Sequence, residues 1–141
     1  MQRIESPRSD DSAIEQEIKD KGLTAARVTP EAIEANIASE HYFTAQHGVE
    51  GAFAKLELHQ RHADTDTLVD KAPAPPFAAL SLLTFCVLVL RNGFTVTGES
   101  ACASPENFDA AVGRKIARAN AINKVWPLMG YELKSKLHAA A

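Results

Sequence analysis

The spacing of apolar residues changes abruptly at one dipeptide, Asn92-Gly93. Residues 82–90 before it are apolar at almost every position and rich in β-prone side chains, whereas residues 94–100 after it alternate between apolar and polar. Asn-Gly between two such runs is the strongest short signal for a hairpin, because a type I′ turn needs positive φ at both central residues. The pattern predicts an antiparallel β-hairpin over about residues 82–100.

The first strand of this hairpin is apolar on both faces, which is typical of a strand that is covered on both sides. A lone two-stranded hairpin is only marginally stable in water. Two arrangements would cover the second face: the N-terminal helices of the same chain, or another copy of the protein. We favour a homo-oligomer that pairs or buries the hairpins.

A long helix is predicted after the hairpin, over about residues 105–126. Ser104 is a good N-cap residue, and Pro105 and Glu106 suit the first helical turn. Pro127 predicts the end of the helix, because the residue before a proline avoids the α region. The alanines on this helix favour close helix–helix approach, a further indication of an assembly. Its apolar stripe is predicted to contain Phe108, Val112, Ile116, Ala119, Ile122 or Asn123, and Trp126.

The N-terminal half is predicted to be helical. A capping box indicates a short helix over about 13–21, and Thr29-Pro30 begins a second helix whose stripe continues to about Thr44. A third helix is expected over 52–61, after two glycines. The pattern predicts one α+β domain over residues 12–141, with a disordered tail at 1–11 and a variable loop at about 62–78, where Asp, Ala and Pro are abundant.

Composition narrows the classes of function. The 141-residue chain carries a net charge of −3, which argues against a protein that holds a nucleic-acid polymer but leaves room for a small anionic ligand. Residues 77–90 form the longest apolar run, and at 14 residues it is shorter than the roughly 20 that a membrane helix needs. Two cysteines and an N-terminus without an apolar segment favour free thiols in the cytoplasm.

Catalytic and metal-binding signals are weak. His59 and His62 stand three residues apart, but no Cys-x-x-Cys or His-Glu-x-x-His accompanies them, so we predict no metal. Cys86 lies in the apolar strand and is expected in the core. Cys102 follows the hairpin, but no catalytic signature surrounds it. We therefore predict no catalytic residue, no cofactor and no enzymatic activity.

Two features could bind an anion. The helix start predicted at Ser104 would offer free N–H groups, although every helix has such an end. Arg114 and Arg118, four residues apart and off the apolar stripe, could hold phosphates, or could simply form a solvated helix face.

The residues from the hairpin to the long helix resemble a known family. The motif NGF…ESACASPENFD…GRKIA…NKVW, together with VTPE…EHYFT in the N-terminal half, resembles short phage and prophage proteins. The resemblance covers most of residues 23–137, with residues 52–76 looking like a variable insertion. This family is similar to the Thoeris anti-defence sponges, which bind the cyclic ADP-ribose isomers made by bacterial TIR-domain enzymes and sequester them without cleavage.

The resemblance implies a sponge in the cytoplasm of an infected bacterium. Members of that group are homo-oligomers, including hexamers, with ligand pockets at subunit interfaces, and some also hold cyclic oligonucleotides. It implies a cyclic nucleotide-type ligand and a dimer-based homo-oligomer, of which a hexamer is one form, with no membrane or nucleic-acid partner. Asn107 and Lys124 stand in matching motif positions, while Phe94 is a stacking ring or a core residue. The ligand-binding candidates are Asn107, Phe94, Lys124, Ser104, Arg114, Arg118 and Arg91. The alternatives are a phage accessory or structural protein acting through protein contacts, and a small nucleotide hydrolase.

Overall fold

A computed structural model of the chain describes residues 11–60 and 78–141, which lie in an α+β fold as predicted. One antiparallel sheet has the strand order β1-β2-β3. The predicted tail at 1–11 and loop at 62–78 lie outside the described residues, except for Asp11 and Ala78. The elements are α1 Asp11–Asp20, α2 Pro30–Ala35, β1 Ile37–Thr44, α3 Ala45–Gln60, α4 Ala78–Ser81, β2 Leu83–Leu90, β3 Thr95–Ala101, a 3₁₀ turn at Pro105–Asn107 and α5 Ala110–Ala140.

The hairpin is confirmed, but its turn differs from the type I′ prediction. Val89 pairs with Thr95, and the Leu90 N–H donates to the Phe94 carbonyl, so the loop has three residues and not two. Gly93 has φ +88°, and among the described residues only glycines have a positive φ. A type I turn closed by a left-handed glycine fits this geometry and needs only one positive φ.

Strand β1 replaces the second half of a predicted helix. Helix α2 begins as predicted, with the Thr29 Oγ1 accepting from the Ala32 N–H at 3.0 Å, but it ends at Ala35. The spacing of Ile33 and Ile37 is compatible with a helix, yet the chain becomes extended at Ile37 and pairs along β2 from Leu90 to Thr84. This long-range pairing outweighs the local helical pattern. It also makes β2 the central strand of the sheet.

One face of the sheet is covered by α5. Cys86 and Leu88 on β2 are fully buried there, together with Val125 of the helix. A Cβ built on Gly98 of β3 would collide with the backbone of Ala117 and Ala121. The alanines of α5 therefore permit close contact between helix and sheet. Ala117 and Ala121 thus pack against the sheet of the same chain, and the indication of an assembly stays a prediction.

The buried stripe of α5 lies beside the predicted one. It consists of Gly113, Ala117, Ala121 and Val125, at a spacing of four residues, while Val112 is 40% exposed. The larger apolar residues flank this stripe and are half-buried, because the sheet at Gly98 admits only small side chains between the two backbones. The flanking residues are Ile116, Ile122 and Trp126.

Both predicted ends of the long helix were wrong. Ser104 makes no side-chain cap bond and precedes a 3₁₀ turn, whereas α5 begins after Asp109, whose Oδ1 accepts from the Val112 N–H at 3.0 Å. The helix continues through Pro127 to Ala140, a length of about 46 Å at 1.5 Å per residue. Pro127 lies on the exposed side of α5. The helix tolerates its ring and its missing N–H there, and the turns before and after it remain helical.

The other face of the sheet, which we call the open face, is only partly covered by the residues that the structure describes. Phe43 and Phe85 pack together there, with ring centroids 5.5 Å apart, and the ring of Phe43 lies next to Gly48 of α3. Val87 and Val89 remain half-buried, and Thr97 on β3 is exposed.

Helix α3 begins at Ala45, earlier than predicted, and includes both of the glycines that were expected to precede it. Among the described residues, no helix is long and apolar enough to cross a membrane.

Candidate functional site

A cleft lies where the chain leaves β3 and approaches α5, and we call it the β3-exit cleft. The Cys102 N–H donates to the Leu82 carbonyl at 3.0 Å, which ends the sheet. The Ser104 carbonyl then accepts from the Asn107 N–H at 3.0 Å and from the Cys102 Sγ at 3.2 Å. These bonds hold a cavity of about 70 Å³ lined by Leu82, Ser100, Ala101, Cys102, Ala103, Ser104, Asn107, Phe108, Asp109, Val112, Gly113 and Ile116.

Ser104 and Asn107 lie together in the β3-exit cleft, so the structure brings these two predicted residues into one site. Ser104 does not, however, begin the long helix, as the sequence pattern predicted. It precedes a 3₁₀ turn without a side-chain cap bond, and the long helix starts only after Asp109, whose own carboxylate already accepts a first-turn N–H. The helix N-terminus therefore gives no separate argument for an anion at Ser104.

Phe94 and Lys124 form a second group, in a shallow groove that we call the turn groove. Phe94 is 55% exposed, so it does not serve as a core residue in the single chain. Lys124, on α5, is exposed and has no ion-pair partner within the described ranges. The groove is lined by Phe94, Thr95, Val96, Thr97, Asn123, Lys124, Pro127 and Leu128.

The cleft and the groove lie at opposite ends of β3. Phe94 directly precedes Thr95, the first residue of the strand, and the cleft begins at its last residue, Ala101. A strand rises about 3.3 Å per residue, so the two groups are about 20 Å apart. A single chain therefore does not bring Phe94 and Asn107 to one small ligand.

Arg118 is held inside the chain by two carboxylates. Its Nη1 and Nη2 donate to the two oxygens of Glu34 at 3.0 and 2.7 Å, and its Nε donates to the Glu40 Oε2 at 3.2 Å. Hydrogen bonding to Glu34 raises the pKa of Arg118, and the same contact lowers the pKa of Glu34. The bidentate pair with Glu34 ties α5 to α2, and the bond to Glu40 ties α5 to β1.

Arg91 is likewise engaged within the chain. Its Nε donates to the Ala35 carbonyl, and its backbone N–H donates to the Asn36 carbonyl at 2.9 Å. These bonds fasten the turn of the hairpin to the end of α2. Arg114 differs, since it is exposed, has no ion-pair partner in the described part of the chain, and lines a cavity separate from both candidate groups.

Cys86 is a core residue, as predicted, and burial raises the pKa of its thiol. The neighbouring Tyr42 hydroxyl donates to the Glu40 Oε1 at 3.0 Å, and burial also raises the pKa of Tyr42. Glu40 thus connects the tyrosine to Arg118 through its two oxygens. Neither group resembles an activated nucleophile.

Potential metal ligands do not gather in groups of three or more within the described ranges. His62 lies outside them, and the side chain of His59 is outside the described positions as well. The prediction that the protein binds no metal and performs no catalysis stays a prediction.

Sequence reasoning missed the residues that fix the geometry around these sites. A glycine inside a strand pattern indicates close backbone approach, so Gly98 carried a usable signal. Glu34 and Glu40 carried none, since nothing local distinguishes a carboxylate that pairs with an arginine 84 or 78 residues away from a solvated one.

The chain belongs to a family of phage proteins, described as the phage protein (N4 Gp49/phage Sf6 gene 66) family, whose model matches residues 28–137. This confirms the prediction of a phage protein family and covers all three strands, α5 up to Leu137 and both candidate groups. No curated protein and no solved structure matches the sequence.

Proposed function

We propose that this phage protein is an anti-defence sponge that binds a cyclic nucleotide-type immune signal, such as a cyclic ADP-ribose isomer, at a site shared by two copies of the chain. The observation that carries the proposal is the separation of its ligand-binding candidates. One group places Ser104 and Asn107 in a small cleft, and the other places an exposed ring beside a lysine without an ion-pair partner in the described ranges; the two groups lie at opposite ends of one strand.

The size of the β3-exit cleft supports a shared site. Its cavity of about 70 Å³ is far below the roughly 300–1,000 Å³ typical of sites that enclose a small molecule. The cleft alone is therefore part of a site. A sponge that acts by capture needs an enclosed pocket, because a nanomolar dissociation constant corresponds to about 12 kcal/mol.

Two copies arranged with their β3 strands antiparallel would bring the missing parts together. Phe94 and Lys124 of one copy would then approach Ser104 and Asn107 of the other. In this arrangement the Phe94 ring stacks on the base and the Lys124 ammonium pairs with a phosphate, while the Asn107 amide bonds to ribose or base. The half-buried valines of the open face give the assembly further apolar surface to bury.

Arg118 and Arg91, also predicted as ligand contacts, take a supporting role in this proposal. Their guanidinium groups are already bonded to Glu34, Glu40 and the Ala35 carbonyl, so a ligand would have to displace these partners. They position the helix and the hairpin turn on either side of the groove.

Isothermal titration calorimetry with cyclic ADP-ribose isomers and cyclic di- and trinucleotides tests the function. We expect at least one ligand to bind with sub-micromolar affinity and to be recovered unchanged after heat denaturation. Binding no tighter than millimolar across the panel would sink the sponge proposal. A cleaved ligand would support the hydrolase alternative.

A mixing experiment tests whether the site is shared. Phe94→Ala and Asn107→Ala should each abolish binding in the pure variant. When the two variants are co-expressed with different tags, a mixed pair contains one site with both residues intact and one site that lacks both. Doubly tagged protein should therefore recover about one ligand per two chains. Failure to recover any binding would overturn the shared site.

An accessory or structural protein that acts through protein contacts is the second candidate. The observation in its favour is exposed apolar surface on the last turns of α5, where Tyr131 is 79% and Leu137 46% exposed. A stable assembly with a protein partner, combined with no binding of any ligand in the panel, would support this function over the sponge.

A further inference from the structure

A larger cavity lies on the other side of Phe108 from the β3-exit cleft, and we call it the α5-start cavity. Its volume is about 260 Å³. It is enclosed by the end of β1, the first turns of α3 and α5, and the start of β2. The lining residues are Tyr42, Phe43, Thr44, Gln46, His47, Ser81, Thr84, Phe108, Ala110 and Arg114.

The described residues that line the α5-start cavity include a positively charged side chain and no negatively charged one. Arg114 lines it, and none of its described lining residues is acidic, although the chain contains 18 Asp and Glu. Arg114 differs from Arg118, one turn along α5, because no carboxylate in the described ranges pairs with it. An anion is therefore the complementary ligand.

His47 contributes a fixed hydrogen-bond donor. Its Nδ1 accepts from the Thr44 N–H at 3.1 Å, and the Thr44 Oγ1 accepts from the His47 N–H at 3.2 Å. This reciprocal cap occupies Nδ1 as an acceptor, so the proton of the neutral ring lies on Nε2. Nε2 of the exposed His47 is consequently the donor nitrogen of this ring.

The rest of the lining is largely apolar or aromatic, with Tyr42 and Phe108 as half-buried aromatic residues. Aromatic side chains favour a flat ring at van der Waals contact. The Tyr42 hydroxyl is already bonded to Glu40, so the residue offers mainly its ring. A volume of about 260 Å³ suits a ligand with one ring system and one phosphate.

We propose that the α5-start cavity is a second binding site, separate from the sponge site, for a phosphate monoester that carries a flat aromatic group. Arg114 is the anion anchor, His47 is a second donor, and Phe108 with Tyr42 contacts the ring. This proposal does not depend on the proposed function, since the cavity is complete within one chain and contains none of Ser104, Asn107, Phe94 or Lys124.

The test uses the full-length protein, phenyl phosphate as the probe, and amide chemical-shift titration by NMR. We expect saturable shifts at Thr44, His47, Phe108 and Arg114, and much weaker binding of inorganic phosphate and of phenol. Inorganic phosphate binding as tightly as phenyl phosphate would overturn the aromatic part of the proposal. Shifts confined to Ser104 and Asn107 would overturn the location.

Arg114→Ala should weaken phenyl phosphate binding about tenfold or more, because one charge-assisted contact is lost. The matched control is Lys115→Ala, which removes the same charge from the next residue of α5, about 100° around the helix. Lys115 is exposed and lies outside the cavity, so this control should bind like the wild type. Equal losses in both variants would show that only net charge matters, and an unchanged Arg114→Ala would remove the anchor from the proposal.

Discussion

The two faces of the sheet are built from the same three strands but differ in how tightly they are packed. On the covered face, Gly98 lies directly against the backbone of α5, and Leu88 and Cys86 are fully buried. On the open face, Val87 and Val89 of the same strand are only half-buried. Strand β2 is equally apolar on both sides, so hydrophobicity alone does not distinguish the two faces.

Side-chain size on the opposing element makes the difference. Helix α5 presents Gly113, Ala117 and Ala121 to the sheet, and these small residues permit a close contact along their whole length. Within residues 11–60 and 78–141, the start of α3 meets the open face through Phe43. Among the described residues, the covered face is therefore the more tightly packed of the two, and we expect it to contribute more to the stability of the chain. Three predictions test this comparison.

Gly98→Val should have the largest effect. The added side chain would overlap backbone atoms of Ala117 and Ala121, which have no flexible group to move aside. We expect a loss of at least about 3 kcal/mol in the free energy of unfolding, or failure to fold, measured by urea denaturation. The control is Gly130→Ala, where a Cβ meets nothing within 4 Å and should stabilise α5 by about 0.5–1 kcal/mol.

Leu88→Ala and Val87→Ala compare adjacent residues on opposite faces. Leu88 is completely buried, so its truncation should cost about 2–5 kcal/mol. Val87→Ala should cost less than half of that, about 1 kcal/mol, in dilute protein. If the two costs were equal, or if the cost at Val87 grew with protein concentration, the open face would be covered by another copy in solution.

Glu34→Gln should have the smallest effect and should depend on pH. Arg118 lowers the pKa of Glu34, so the pair contributes stability above the usual carboxyl range and loses it as the pH falls through the depressed pKa. Glu34 is 55% exposed, so we expect only about 0.5 kcal/mol at pH 7. The difference between wild type and variant should shrink as the pH falls through the depressed pKa of Glu34 and vanish below it.

The control for this last experiment is Glu106→Gln, an exposed carboxylate with no ion-pair partner within the described residues. It should change stability little at either pH. A Glu34→Gln difference that stayed constant from pH 7 to pH 3 would contradict the role of the ion pair.

Local patterns predicted the hairpin, the start of α2 and the long helix, because each depends on neighbours within a few residues. Asn92-Gly93 and Thr29-Pro30 are examples, and both lie where expected. Strand β1 was missed because its pairing with β2 joins residues about 40 to 55 positions apart. Pro127 wrongly predicted the end of the long helix, because the residues on both sides of it remain helical in spite of the proline.

The candidate site residues also divide into those that the motif identified and those whose arrangement only the folded chain shows. The motif identified Ser104 and Asn107, which do share one cleft, and the family match agrees with the motif. Their separation from Phe94 and Lys124 follows from the extended conformation of β3, which no spacing rule would have shown. The engagement of Arg118 by Glu34 and Glu40 likewise required the folded chain.

The sequence by itself determined the elements around the central hairpin, the phage family and the polar residues that follow β3, because these follow from local backbone preference and from a specific motif. Only the tertiary structure decided which face of the hairpin is buried, which arginine is left unpaired, and which candidate residues lie together. These depend on contacts between residues far apart in the chain, where one glycine or one carboxylate determines how closely two elements approach.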